Sequence, residues 1–311
     1  MSESSPALQP RCAGYQTWEA EPAAGLSALM TTDPQAPALD TFYTAYDAAF
    51  VLPSEKEDLE GFRDCLALNG GAAYTRLEKR YGPYRELVIL LRHAGGAVIG
   101  GANFIALGGP AAITVNLNYI FIARDARGAG HFRRLMALVE REARAAFVTP
   151  ASFPVLIFIE QNDPLRLDPE SYALDSAHSG LDQYDRLRIW RHLGARLVDL
   201  DYLQPALSAG QEPDTGLLYG VLGASGNSLP ACLLARHLRQ FFGISVLKGR
   251  KIEDDADALR QVSALDARCQ RGERIALIDP GAALTQGTPG RTDQSFLDLA
   301  RRAAASATSQ P

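Results

Sequence analysis

The segment at 127–132 combines residue types that could bind an anion. It reads Arg-Gly-Ala-Gly-His-Phe, and a stretch with helical periodicity begins within it. The first backbone N–H groups of a helix lack partners inside the helix, and the helix dipole adds partial positive charge at that end. Glycines let a phosphate approach the backbone without meeting a Cβ atom. With Arg133 and Arg134 beside it, the segment predicts an anion cradle, and a turn that needs glycine for its geometry alone is the alternative.

The cradle needs a strand before it and a helix after it, and the sequence predicts both. Residues 112–122 have an apolar strand pattern that ends at the turn. From about 129 to 147, apolar residues recur at helical spacing and charged residues fill the other face. Two more strands are predicted at 85–92 and 97–106, and turns containing glycine join the three. The pattern therefore predicts an antiparallel meander that leads into the helix of the cradle.

The remaining elements predict an α/β (α+β) fold. Helices at 41–50 and 56–67 precede the meander, and a strand at 154–160 follows the cradle helix. A loop of roughly twenty residues comes next, and a loop of that length favours a lid or substrate loop. The chain continues with these predicted elements: a helix at 182–193 and strands at 195–203 and 215–223. We expect a mixed, mostly antiparallel sheet with helices on both faces.

Changes in composition divide the chain into three predicted parts. Residues 1–37 contain five prolines and no apolar periodicity, which indicates a flexible N-terminal arm. Residues 38–225 form the main domain. Residues 226–311 form a C-terminal helical extension, with amphipathic helices at 229–241 and 258–269 and a disordered tail rich in alanine and serine.

The overall charge argues against a nucleic-acid partner. The net charge is -5 and the sequence pI is about 5.6, whereas binding to phosphates requires a basic surface. A basic and apolar leader is missing, and so is a run of about 18 apolar residues, so neither a signal peptide nor a membrane span is predicted. The cysteines and histidines are dispersed. We therefore expect reduced thiols, no metal site and a cytoplasmic protein, and the sequence leaves room for a homodimer.

Several motifs resemble the GNAT superfamily of acetyl-CoA-dependent N-acetyltransferases. Arg127-x-x-Gly130 matches the first four positions of the Arg/Gln-x-x-Gly-x-Gly/Ala signature, which holds the pyrophosphate of CoA. Residues 160–162, Glu-Gln-Asn, resemble the superfamily's Glu-x-x-Asn-like strand end. Residues 190–195, Trp-Arg-His-Leu-Gly-Ala, resemble its Tyr-Glu-Lys-x-Gly-Phe. The resemblance covers about 40–223, and the C-terminal helices resemble a bacterial-type branch of the superfamily.

The resemblance implies transfer of an acyl group, most simply acetyl, from CoA to an amine. Acetyl-CoA would be the co-substrate, without a metal ion, and the acceptor would be a small-molecule amine rather than a protein lysine. The residues that the resemblance implies in CoA binding are Ile120, Phe121, Ile122, Arg127, Gly128, Ala129, Gly130, His131, Phe132 and Asn162.

Three positions depart from the superfamily pattern. Phe132 stands where the signature ends in Gly or Ala, and Trp190 stands where a tyrosine acid is usual. The polar face of the central strand carries Asn116 and Asn118, and an amide cannot accept a proton as a carboxylate does. These departures keep a second interpretation open: a catalytically silent GNAT-fold module that binds CoA or serves as an interaction or regulatory unit.

Acylation of an amine also requires a group that accepts a proton. Glu160 ends a strand next to the implied acyl site, and Asn118 could hold a water for it. Glu55, between the first two helices, is the second candidate because that region covers the acceptor in GNAT proteins. Strict alternation along the strand places Tyr119 on the face opposite Asn118, where it would be a core residue.

Overall fold

The computed structural model describes residues 13–207, 210–286 and 294–308. Two compact units divide the chain: the first takes residues 1–157 and 239–252, and the second takes residues 158–238 and 253–311. The boundary between them falls inside a strand, and the C-terminal region contributes to both units.

An antiparallel sheet forms the centre of the first unit. Its strands, in spatial as well as chain order, are β1 (Thr17–Ala20), β2 (Leu26–Thr31), β3 (Tyr84–His93), β4 (Val98–Gly108) and β5 (Ile113–Ile122). Each strand pairs antiparallel with the next. Strand β3 is buried almost throughout, which explains its continuous apolar run.

Four helices and an aromatic core complete most of this unit. The helices are α1 (Pro37–Ala49), α2 (Leu59–Ala67), α3 (Gly71–Tyr81) and α4 (His131–Ala145). The side chain of Asp58 caps α2 by accepting a hydrogen bond from the Gly61 N–H at 2.7 Å. The core between α1, α2 and the sheet contains Leu39, Phe42, Tyr46, Phe62, Leu66, Val88, Leu90 and Phe121. The aromatic rings meet at many angles, which is typical of a closely packed core.

The second unit is also α/β. Its elements are β6 (Val155–Asn162, of which the last five residues belong here), α5 (Pro169–Ser179), α6 (Gln183–His192), β7 (Arg196–Val198), β8 (Leu217–Leu222), β9 (Ser228–Pro230), α7 (Ala231–Phe241, of which the last three residues belong to the first unit), α8 (Ala256–Gln270), β10 (Arg274–Ile278), α9 (Gly281–Gln286) and α10 (Phe296–Thr308). The strand order is β6-β8-β7-β10-β9, and the pairs from β8 to β9 are antiparallel. A short π-helical turn, Phe242–Val246, follows α7 and belongs to the first unit.

The prediction of a mixed, mostly antiparallel α/β fold is confirmed, and so is the meander that leads into α4. The described part of the predicted arm, 13–37, differs: it contains β1 and β2, and β2 pairs with six residues of β3. The predicted long loop after β6 contains α5.

The C-terminal region also differs from its prediction as a helical extension with a disordered tail. It supplies two strands, β9 and β10, and β10 pairs with β7. The described part of the tail is the end of α10, whose Phe296 is buried in the core of the second unit. The apolar residues of α10 have a sheet and helices of the same unit to pack against, so the segment folds.

The prediction that all cysteines are reduced thiols is wrong. Cys232 and Cys269 form a disulfide with their Cα atoms 4.5 Å apart. These residues lie at the beginning of α7 and the end of α8, and the Ala231 N–H donates to the Glu273 carbonyl beside them at 3.0 Å. Such proximity across 37 residues has no signature in sequence spacing. Cys65 is free and buried, and Cys12 lies outside the described residues.

No helix among the described residues combines the length and the apolar character that crossing a membrane requires.

Candidate functional site

The predicted anion cradle is an exposed turn between β5 and α4. After a short 3₁₀ turn, Arg124–Ala126, the chain passes through Gly128 and Gly130, with φ of 80° and 76°. Gly130 is the N-cap residue of α4, and no side chain caps this helix end. Positive φ at both positions strains any residue with a Cβ, so the sequence needs glycine here. The turn thus leaves the N-terminal end of a fifteen-residue helix open at the surface.

Two arginines hold the turn in this conformation. The Arg127 Nε donates to the Ile122 carbonyl at 3.2 Å, and the Arg134 Nη1 donates to the Ala129 carbonyl at 2.6 Å. Both side chains are exposed and remain charged. The arginines therefore shape the turn and place positive charge around it.

His131, the first residue of α4, has an unsatisfied polar atom. The residue is buried, and its Nδ1 has no hydrogen-bond partner among the described residues. Burial, followed by the charge of Arg134 and by His93, lowers the pKa of His131. A neutral imidazole keeps one N–H donor at physiological pH. Buried polar atoms of a protein normally have a hydrogen-bond partner. An unpartnered nitrogen at an open helix N-terminus therefore indicates a place where an anion could bind.

The structure brings most of the predicted cofactor residues together. Ile120, Phe121 and Ile122 end β5, and the residues from Arg127 to Phe132 follow in the cradle. Phe121 packs against Phe42, so only its backbone is available to a ligand on this strand. Asn162 ends β6 in the second unit.

The polar face of β5 is not regular. The pairing with β4 shifts between Asn103 and Phe104, which leaves Asn118 without a Cα partner. Because a bulge places two successive residues on similar sides of a strand, strict alternation fails here. The Asn118 amide reaches Glu86 at 3.1 Å, while the ring of Tyr119 packs into the aromatic core on that same face of the sheet. The prediction that Tyr119 lies on the face opposite Asn118 is therefore wrong.

Glu86 is a polar residue of this site that the sequence analysis missed. It lies on β3, is 0% exposed and accepts hydrogen bonds from Asn103 and Asn118. The available signal was a charged residue at the start of a buried apolar run, where a carboxyl must have partners to be tolerated.

Glu55 belongs to the turn between α1 and α2. Its backbone carbonyl accepts a hydrogen bond from the Tyr119 hydroxyl at 3.1 Å, and the residue is half-buried. That bond holds the turn near β5, so Glu55 stays a candidate for proton transfer.

Glu160 lies near the end of β6 and accepts a hydrogen bond from the Tyr202 hydroxyl. Burial, together with the charge of Glu160, raises the pKa of Tyr202 well above its usual value. The Tyr202 ring stacks on Tyr219 at 4.4 Å, and the Tyr219 hydroxyl lies 2.7 Å from Nε2 of His237. Glu160 is therefore held by a phenol that keeps its proton, and it too stays a candidate.

Trp190, at the position of the missing tyrosine acid, lines a pocket within the second unit. Gln161 lines the same pocket, and its Nε2 is buried without a partner among the described residues. The guanidinium groups there are already engaged: Arg191 pairs with Asp279 at 2.6 Å, and Arg196 donates to the Ala224 carbonyl at 2.6 Å. The pocket is lined mainly by apolar groups, and its two guanidinium groups already donate to Asp279 and to the Ala224 carbonyl.

Comparison with known proteins gives structural similarities only. No protein-family model matches the chain, and no curated protein matches it. The chain is similar to Naa50 from Arabidopsis thaliana in complex with the bisubstrate analogue CoA-Ac-MVNAL, with 10% identity over 65% of this chain and 100% of that one, at a TM-score of 0.37. It is similar to the ribosomal-protein-S18-alanine N-acetyltransferase from Escherichia coli, with 14% identity over 65% of this chain and 98% of that one, at a TM-score of 0.34.

A third similar structure is nourseothricin acetyltransferase, with 20% identity over 45% of this chain and 64% of that one, at a TM-score of 0.28. Two of these three solved structures are acetyltransferases. With TM-scores below 0.5 and identities of 20% or less, the likeness carries no argument about the activity of this chain. The resemblance to the GNAT superfamily continues to depend on the motif residues.

Proposed function

We propose that this protein transfers an acyl group, most simply acetyl, from CoA to an amine, and that a small molecule carries the amine. The amine nitrogen bonds to the thioester carbonyl carbon and the carbon–sulfur bond breaks. The proton that the nitrogen loses balances the charge of the CoA thiolate. The reaction needs no oxidant, reductant or metal ion to balance.

The cradle is the observation that supports this proposal. It combines an uncapped helix N-terminus, two glycines with positive φ and the unpartnered Nδ1 of His131, and the motif residues Arg127 and Gly130 lie within it. A pyrophosphate would accept hydrogen bonds from the backbone N–H groups and from the imidazole. A turn that served geometry alone would not need an open helix end and a buried, unsatisfied imidazole together.

The proton acceptor stays open between two carboxylates. Glu160 is held by Tyr202, and Glu55 lies on the turn that contacts Tyr119. A general base contributes about 10²–10⁴-fold to a rate. If one of these residues is the base, changing it to Gln should lower kcat by that factor, whereas the other variant should keep its kcat. Neither change should alter the affinity for acetyl-CoA.

A silent CoA-binding module is the second candidate, and the composition of β5 favours it. The polar side chains on β5 are two amides, a threonine and a tyrosine, none of which accepts a proton at neutral pH. Such a module would bind acetyl-CoA without releasing free CoA in the presence of any amine.

Release of CoA thiol from acetyl-CoA, measured with amino acids, polyamines, aromatic monoamines and lysine peptides, tests the enzyme proposal. Gly130→Asp places a negative charge in the cradle and should abolish transfer. Gly272→Asp is the matched control because Gly272 also has positive φ, at 68°, and is exposed, but lies in the turn between α8 and β10. If the two folded variants release CoA thiol equally fast, the CoA site lies outside the cradle.

A further inference from the structure

A buried carboxyl lies below the polar face of β5. The Glu86 Oε1 accepts hydrogen bonds from the Asn103 amide at 2.9 Å and the Asn118 amide at 3.1 Å. Its Oε2 accepts a bond from the Ser245 hydroxyl at 2.7 Å. Asn69 fixes the backbone, since the Glu86 N–H donates to the Asn69 Oδ1 at 2.9 Å. Each contact to the carboxyl comes from a donor, as a carboxylate requires.

Burial and these donors oppose each other at Glu86. Burial raises its pKa to about 7, and the hydrogen bonds from Ser245, Asn103 and Asn118 act in the lowering direction. The titratable groups in range of its charge are Cys65 on α2 and Tyr84 on β3, and Cys65 in turn lies near the ion pair of Lys248 with Glu57 at 3.2 Å. Glu86 therefore ionises closer to neutral pH than an exposed carboxyl does.

The acceptor-only character of a carboxylate fixes the direction of a chain of amides. Asn118 directs both hydrogens of its NH₂ group inward, to Glu86 and to the Asn103 Oδ1 at 2.9 Å. Its own Oδ1 accepts a bond from the Asn116 Nδ2 at 3.1 Å and keeps a second lone pair. Asn103 and Asn116 are buried, whereas Asn118 is half-buried. Asn118 consequently has one acceptor position left and no N–H group to offer a ligand.

We propose that Glu86, in its ionised form, is a positioning residue for the acceptor amine: it holds Asn118 so that its carbonyl oxygen meets an N–H group of that amine. This inference rests on the proposed acyltransferase function. When Glu86 takes up a proton on Oε1, that O–H opposes the Asn118 N–H, and Asn118 turns its NH₂ group outward at the expense of its bonds to Asn103 and Asn116. An N–H group of Asn118 then faces an N–H group of the amine, and binding of the amine weakens.

Ser245 gives the C-terminal region a role in the same site. It lies on the π-helical turn that returns to the first unit, and π-helical turns occur frequently at functional sites. Its hydroxyl favours the ionised form of Glu86. Loss of this hydroxyl should raise the pH at which Asn118 changes orientation.

The pH dependence of the KM for the amine tests the proposal. Because the amine itself takes up a proton as the pH falls, the informative quantity is the ratio of this KM in Glu86→Gln to that in the wild-type protein. The ratio should be about ten or more above pH 7 and should approach one below pH 7, the change expected when a hydrogen bond is replaced by opposed donors. In Ser245→Ala the same ratio should change at a higher pH, and the KM for acetyl-CoA should stay constant. Glu142→Gln changes another buried carboxyl of the same unit, bound to Arg141 and Trp18, and should leave both KM values unchanged.

A spectroscopic measurement tests the orientation without an acceptor. In protein labelled with [¹⁵N]asparagine, the side-chain signals of Asn118 should shift with a midpoint near pH 7 in the wild-type protein and not in Glu86→Gln. Signals that do not change with pH in the folded wild-type protein, or a wild-type KM for the amine in Glu86→Gln, would overturn the proposal. Failure of the wild-type protein to bind acetyl-CoA would instead remove the proposed function, whatever the titration of Asn118 shows.

Discussion

Glu86→Gln should change the way in which stability depends on pH, because it keeps the size of a buried side chain and removes its charge. Burial raises the pKa of Glu86 from 4.5 to about 7. Between these pH values the unfolded chain has released a proton that the native state still holds. The stability due to this group is therefore present below pH 4.5 and is lost as the pH rises to 7. At about 1.4 kcal/mol per pKa unit, the loss is about 3 kcal/mol.

Urea unfolding of the wild-type protein and Glu86→Gln at a series of pH values from 4.5 to 8.5 measures this loss. The difference in unfolding free energy between the two proteins isolates Glu86 from other groups, including Asp163, whose pKa burial raises to about 6. This difference, wild type minus variant, should fall by about 3 kcal/mol up to pH 7 and stay level above it.

Two results would refute the reasoning about Glu86. A difference that stays level from pH 4.5 to 8.5 would mean that the pKa of Glu86 is not raised in the folded chain, because the hydrogen-bond donors match or outweigh burial. A difference that falls only as the series is extended below pH 4.5 would mean that the donors from Ser245 and the two asparagines outweigh burial, so the pKa lies below 4.5.

Three further changes test other parts of the fold. Gly101→Ala places a Cβ 2.8 Å from a ring carbon of Phe42, so urea unfolding should show a loss of roughly 1–3 kcal/mol. Cys232→Ser removes the disulfide with Cys269, and the unfolding free energy should fall by about 4 kcal/mol at most, with no further fall on addition of a reductant. Burial lowers the pKa of His237 to about 3, so relative to His237→Gln the wild-type protein should lose stability as the pH falls from 6.5 toward 3 and show no such loss above 6.5.

The cradle could be predicted from the sequence because its parts are contiguous. Gly128, Gly130 and the start of α4 follow one another, so the backbone conformation depends on a few successive residues. The meander was predictable for the same reason, since glycine turns join three strands with clear apolar patterns.

Two elements escaped prediction because the sequence pattern was ambiguous. In β2 the alternation of buried apolar residues is limited to Leu26, Ala28 and Met30, which is too short a pattern to predict a strand. The pairing with β3 stabilises this strand, and the residues of β2 alone do not reveal that pairing. Helix α3 has buried Tyr74 and Leu77 at helical spacing, but the two glycines before it indicated the end of a helix. Gly70 is in fact the N-cap residue of α3.

The network below Asn118 could not be predicted from spacing. Glu86 is 32 residues from Asn118 and 159 residues from Ser245. No local pattern reports that a π-helical turn near the C-terminus returns to satisfy a carboxyl on β3. The bulge opposite Asn103 is equally invisible, because it depends on the register of two strands.

Stabilisation by acetyl-CoA tests the central claim, that the turn at 127–132 binds CoA, most directly. At about 100 times its dissociation constant, a ligand of the native state adds about 2.7 kcal/mol to the free energy of unfolding. The wild-type protein and Gly272→Asp should both gain this stabilisation and melt at a higher temperature with acetyl-CoA, whereas Gly130→Asp should gain none. An equal shift in folded Gly130→Asp, or no shift in the wild-type protein at millimolar acetyl-CoA, would contradict the claim.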